Sequence, residues 1–178
     1  MIDSAGCTTA GEDEQHALDQ MDSTQQIMEF LGEIGLDVIC EPIERATFLP
    51  GVDVRGGTLI VDVSKLEYPS DLLHEAGHLA VVDRSVRAKL DGEVTVLNAE
   101  VIEVAAIAWS YAAAMHLGIA ITELFHSGGY RGHAQALLLT YSIGVYPGAS
   151  ILADLGLTSV PGEEETPTYP SMSRWLVE

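Results

Sequence analysis

The clearest chemistry in the sequence lies in residues 74–78, which read His-Glu-Ala-Gly-His and form an HExxH pattern. Ser70 is a plausible N-cap, so the sequence predicts a helix over residues 70–83. Residues four apart share a helix face, so His74 and His78 converge on one cation. Glu75 is turned about 100° away and reaches a water on that cation. The pattern therefore predicts a metal site with two histidine ligands and one general base.

A metal-free explanation of the same residues is that they are ordinary core or surface side chains. Chance gives an HExxH pattern in roughly 2% of shuffled chains of this composition. The segment also carries Leu72, Leu73 and Leu79, and two histidines beside such apolar residues are unfavourable without a cation to satisfy them. Both considerations favour the metal site.

The HEAGH pentapeptide, preceded by an extended segment at 58–63, resembles the active-site helix of the zincin metallopeptidases. This resemblance covers the segment and the helix that follows it. It implies that His74 and His78 bind Zn²⁺, that Glu75 acts as general base, and that residues 58–63 line the substrate cleft. The reaction that it implies is hydrolysis of peptide bonds.

A catalytic zinc site needs a third protein ligand and an open position. The metzincin extension is absent, and the gluzincin arrangement, with a glutamate from a second helix, points to Glu103 or Glu100. Glu103 is favoured, because it stands among apolar residues where an unpaired carboxylate is unfavourable. Glu100 lies in the first turn of a predicted helix, where the helix dipole alone explains an acid. HEAGH is also typical of FtsH-like proteases, whose third ligand is an aspartate further along, and Asp154 is the candidate for that arrangement.

A glycine-rich loop at 127–132 is flanked by His126 and His133 and contains Tyr130. Zincins often place a histidine or tyrosine donor near the oxyanion. For each of these three side chains taken separately a structural role is favoured, because histidines and tyrosines in loops need no catalytic role, and a donor role for one of them stays open.

Composition narrows the possible partners. The 178 residues carry a formal charge of −19, and residues 1–44 contain eleven acids and no lysine or arginine. Such a field repels nucleic acid and anionic lipid, so we expect a peptide or protein substrate, with no nucleic acid and no membrane. Two cysteines and no recognisable signal sequence favour a cytoplasmic protein. The apolar run at 104–115 is too short and alanine-rich to span a bilayer and predicts a buried helix.

The chain is expected to divide into a disordered acidic tail at 1–13, one domain at 14–159 and an extended C-terminal tail at 160–178. Residues 36–63 predict short strands and turns. Further helices are predicted at 14–34, 98–117, 119–125, 133–142 and 148–155.

These expectations combine into an α+β domain with a minimal zincin-like fold: a short twisted sheet, an active-site helix and a mostly helical C-terminal half. The predicted function is zinc-dependent peptide hydrolysis. A catalytically silent binding or regulatory module and a metal-stabilised structural protein remain alternatives. The oligomeric state is not predicted.

Overall fold

The computed structural model describes residues 23–92, 99–160, 162 and 167–178. It shows a small α+β fold, as predicted, with one three-stranded sheet and a set of helices. The expected tail at 1–13 and the start of the first helix lie outside the described residues. The elements are α1 at 23–33, β1 Val38–Cys40, β2 Val52–Arg55, β3 Thr58–Val61, α2 Asp71–Ala80, α3 Arg84–Arg87, α4 Ala99–Leu117, α5 Ile121–Leu124, a 3₁₀ turn Tyr130–Gly132, α6 Ala134–Ser142 and α7 Ala149–Asp154.

The sheet is mixed, in the order β1-β3-β2. β2 and β3 form an antiparallel hairpin in which Arg55 pairs with Thr58. The two turn residues, Gly56 and Gly57, have φ of 56° and 79°, which is the conformation that a two-residue hairpin turn requires. β1 pairs with β3 in parallel, with Val38 opposite Leu59. β3 is therefore the central strand.

This order corrects one prediction. The segment 58–63 is not the strand that lines the cleft, because β3 is paired on both sides. The strand that faces the cleft is β2, through Val52, Asp53 and Val54. The order of strands in a sheet depends on long-range pairing, and the resemblance to a zincin helix carries no information on it here.

α4 is the central helix of the domain, and α2 packs across it. The buried face of α4 is formed mostly by small residues and by Trp109, which is completely buried. Gly77 of α2 lies against the α4 backbone, and a Cβ at this position would be 2.7 Å from the carbonyl oxygen of Ala106. Glycine at this position lets the two helices approach closely. The apolar run at 104–115 is therefore a buried helix, as predicted.

The predicted helices that fall on described residues are found to within three residues at each end. At the start of α2, however, Ser70 makes no capping hydrogen bond, and its hydroxyl donates to the carbonyl of Glu123 at 2.7 Å. Within the described part of the chain, none of the helices is long and apolar enough to cross a membrane.

The C-terminal residues pack on the domain. Trp109 donates its indole N–H to the carbonyl of Trp175 at 2.8 Å, and Val177 donates to the carbonyl of Ala80 at 3.0 Å. The Tyr169 ring is buried in the core. Residues 167–178 form mostly turns and bends instead of an extended tail, and they pack on the domain, so the predicted domain end at residue 159 is too early.

Candidate metal centre

Three side chains from two helices converge at one point. The Nε2 atoms of His74 and His78 lie 3.3 Å apart. Oε1 of Glu103 lies 3.6 Å from Nε2 of His74, and Oε2 lies 3.2 Å from Nε2 of His78. These three residues form a group that could hold a metal ion, and the described residues contain no other such group.

The spacing of the two imidazoles matches a tetrahedral ion. Donors bound at about 2.0–2.2 Å in a tetrahedron lie roughly 3.3–3.6 Å from one another. The two Nε2 atoms are 3.3 Å apart, at that spacing, whereas Glu103 approaches the two rings through different oxygens, at 3.6 Å and 3.2 Å. The histidine pair thus stands at a coordination distance, and the Glu103 carboxylate lies beside both rings. Two imidazoles and one carboxylate are also a ligand set that suits Zn²⁺.

Local structure explains why the donors meet. His74 and His78 are one helical turn apart on α2, so their rings stand on the same face. Glu103 comes from α4, which crosses this face. The Ser110 hydroxyl lies 3.0 Å from the carbonyl oxygen of Leu73 and 2.7 Å from that of Ala106, and so ties the two helices together beside the ligands.

Electrostatics keep at least one imidazole ready to bind. Burial, followed by the neighbouring His78, lowers the pKa of His74 to about 4, so this ring is neutral at pH 7. Burial acts to lower the pKa of His78 as well, but the hydrogen bond to Glu103 and the charges of Glu75 and Glu103 outweigh it and raise that pKa. The same hydrogen bond from His78 lowers the pKa of Glu103, whose carboxylate is ionised.

The centre opens into a cleft. Side chains of His74 and His78 are only 11% and 12% exposed, whereas Glu103 is 46% exposed toward a cavity of about 720 Å³. Glu75 lines the same cavity. Much of the remaining wall is apolar and comes from the loop before β2, from β2, from α4 and from α6. These apolar residues are Ala46, Phe48, Leu49, Val52, Val54, Ala99, Ile102, Ile107 and Leu137.

The structure separates the three candidates for the third ligand. Glu103 lies in the group, as the sequence favoured. Glu100 lines the cavity from the first turn of α4, but it is not part of the group. Asp154 is exposed at the end of α7 and is likewise outside it. The apolar neighbours of Glu103 in the sequence predict a buried carboxylate. In the structure the Glu103 side chain is half exposed to the cleft and lies beside the two imidazoles.

The glycine-rich loop brings one of its three candidate side chains against a ligand and a second one to the wall of the cavity. The Tyr130 ring makes an edge-to-face contact with His74, at 5.3 Å between ring centroids. Burial, then the charges of Asp71 and Glu103, raise the pKa of the Tyr130 phenol, which keeps its proton at neutral pH. His133 is exposed and lines the cavity.

His126 is not among the residues that line the cavity, and it forms a pair that the sequence did not reveal. Its Nε2 lies 2.9 Å from Oδ1 of Asp71 in the first turn of α2, and both side chains are buried. These residues are 55 positions apart. The only sequence signal for Asp71 was its place at a helix start, which predicts a dipole interaction and not a partner.

Comparison of this chain with protein-family models, with curated proteins and with solved structures found no match.

Proposed function

We propose that the protein is a zinc-dependent hydrolase that cleaves peptide bonds. The observation that carries the proposal is the His74–His78–Glu103 group, in which two imidazoles and a carboxylate meet beside a cleft. The resemblance of residues 74–78 to the zincin active-site helix supports the same function. So does the cleft itself, because turnover needs an accessible ion, and Glu103 faces the cavity.

Each residue has a distinct part. His74, His78 and Glu103 would hold the ion. Bound there, zinc would supply Lewis acidity toward a substrate carbonyl and a water that is acidic near neutral pH. Glu75 would take a proton from the attacking water and return it to the leaving amine, because it lines the cavity and is not a ligand.

Tyr130 is the best-placed neutral donor of the three loop candidates. Its ring touches His74, its hydroxyl is protonated at neutral pH, and it lines the cavity. We infer that the Tyr130 hydroxyl donates a hydrogen bond to the oxygen that develops negative charge during hydrolysis. His133 lines the cavity without a ligand contact. His126 is paired with Asp71 and does not line the cavity.

The first experiment measures metal content. We expect the purified protein to contain about one zinc per chain by elemental analysis, since one group of three ligands is present. A protein that holds no metal and takes up none from added zinc would contradict the proposal.

The second experiment separates metal binding from turnover. Glu75→Gln should keep the zinc and lower peptide hydrolysis by about 10²–10⁴-fold, because the amide cannot accept the proton. Glu100→Gln is the matched control, a glutamate that lines the same cavity outside the ligand group, and it should retain activity. If the wild type holds zinc but cleaves nothing in a broad peptide library, the silent binding module replaces this proposal.

A further inference from the structure

Asp71 and His126 form a buried pair to which the proposed chemistry gives no direct part. The pair joins the first turn of α2 to the loop that leads to Tyr130, with 2.9 Å between Oδ1 and Nε2. The side chains are only 4% and 7% exposed. Two ionisable groups are unfavourable in such a place unless they pair, so the contact is strongly specified.

The surroundings of the pair are shaped around it. The Tyr68 ring stacks on His126, with centroids 3.7 Å apart and planes inclined by 12°. A Cβ at Gly128 would lie 2.8 Å from the Tyr68 ring, and a Cβ at Gly129 would lie 3.0 Å from the His126 ring. The two glycines therefore let the loop backbone lie directly against the two rings. The Ser70–Glu123 hydrogen bond joins the residue before α2 to α5, the short helix that precedes the loop.

A turn in an unfavourable conformation follows the pair along the chain. Tyr130 and Arg131 have φ of 55° and 50°, values that residues with a side chain rarely adopt, and Gly132 follows at 83°. Such a conformation persists only where the surrounding structure holds it. The Arg131 guanidinium lies 5.2 Å from the centre of the Phe48 ring, which also lines the cavity.

We propose that Asp71 and His126 are a positioning pair that holds this turn against α2 and thereby sets the place of Tyr130 relative to the metal ligands. Asp71 and His74 are three residues apart on one helix face, so a single turn of α2 carries both the anchor and a ligand. His126 is the corresponding anchor on the loop, four residues before Tyr130. The catalytic consequence rests on the proposed function, whereas the position of Tyr130 does not.

The test of position uses fluorine NMR on protein labelled with 3-fluorotyrosine, recorded without added metal and again with zinc. The chain has six tyrosines, and the Tyr130 resonance is assigned with Tyr130→Phe. His126→Phe keeps a ring on Tyr68 and removes the bond to Asp71. In this variant the Tyr130 resonance should lose most of its displacement from the denatured-state value, because the ring leaves His74. Ser127→Ala, an exposed change in the same loop, should not move it.

Two further variants approach the pair from α2. Asp71→Ala should shift the Tyr130 resonance as His126→Phe does, and Asp71→Asn, which keeps an acceptor oxygen for Nε2, should restore it. These variants decide the question if His126→Phe does not fold. An unmoved Tyr130 resonance in folded His126→Phe or folded Asp71→Ala would overturn the proposal.

The kcat of hydrolysis provides a second test, in a double-mutant cycle. Tyr130→Phe and His126→Phe should each lower kcat, by up to about 100-fold for the loss of one such donor. The double variant should be no slower than Tyr130→Phe alone, since His126 acts through Tyr130. If the effects of Tyr130→Phe and His126→Phe on kcat multiply in the double variant, the positioning role is overturned. If the wild type hydrolyses nothing, the proposed function fails, and the fluorine shift still decides the positioning pair.

Discussion

α2 carries two clusters that combine histidine with a carboxylate, and they differ in how closely the polar atoms meet. In the Asp71–His126 pair the atoms lie 2.9 Å apart, at direct hydrogen-bond length, and both side chains are buried. In the His74–His78–Glu103 group the separations reach 3.6 Å, and the carboxylate is half exposed. The first cluster is closed by a direct hydrogen bond between its two members, whereas the second is a group that could hold an ion.

The comparison shows that residue type alone does not identify a metal ligand. Both clusters contain the same functional groups, and both join α2 to a segment distant in sequence. What separates them is the number of donors that meet and the exposure of the carboxylate, 46% for Glu103 and 4% for Asp71. Two imidazoles and a carboxylate that meet at one point can form a ligand set. One imidazole on one carboxylate forms a structural contact.

The strongest test of this difference is zinc affinity, measured by competition with a chelator. Glu103→Ala should lower the zinc affinity by well over 100-fold, because it removes a ligand. Changes to residues around a metal site usually cost only about 10–100-fold. Asp71→Ala should lower it by no more than about 10-fold, since Asp71 acts only on the loop. Glu100→Ala is a control on α4 outside the group. Equal affinity in Glu103→Ala and wild type would remove Glu103 from the site.

The pH dependence of stability in the metal-free protein tests the burial of His74. The folded-state pKa of His74 is about 4, below the ordinary 6.5, so between these values the unfolded chain binds more protons than the folded one. Stability should therefore fall as pH drops from about 6.5 to about 4, by at most about 3 kcal/mol.

His78 opposes this trend, because its raised pKa contributes stability below pH 6.5 that is lost as pH rises through the folded-state value. Urea unfolding after chelator treatment, at intervals between pH 7 and pH 4, measures the sum. The slope due to His74 should disappear in His74→Leu. An identical pH profile in wild type and His74→Leu would show that His74 is not the group responsible.

The smallest expected effect concerns the contact that sets the distance between the ligand helices. Gly77→Ala places a Cβ 2.7 Å from the Ala106 carbonyl, and overpacking of about 1–3 kcal/mol outweighs the gain in helix propensity of about 1 kcal/mol. Zinc affinity should fall with stability, because α4 carries Glu103. Gly32→Ala on α1, where a Cβ meets nothing within 4 Å, should instead stabilise by about 0.5–1 kcal/mol. Urea unfolding compares the two, and a stabilised Gly77→Ala would contradict the close approach.

Local information in the sequence was sufficient for two of the three residues of the metal group. His74 and His78 share a helix face because of the helical repeat, so their convergence follows from spacing alone. The helices and the Gly56–Gly57 turn were predictable for the same reason, since they depend on residues near one another in the chain. The preference for Glu103 over Glu100 came from the apolar residues beside it, which is also a local signal.

Features that depend on pairing between distant segments were decided only by the tertiary structure. The cleft strand is β2 and not β3, because strand order follows from which edges pair. The C-terminal residues belong to the domain because Trp175 and Val177 meet α4 and the end of α2. His126 meets Asp71 across 55 positions. Backbone hydrogen bonds and buried polar contacts between such segments are set by packing of the whole domain, whereas the sequence determines only which residues are available to make them.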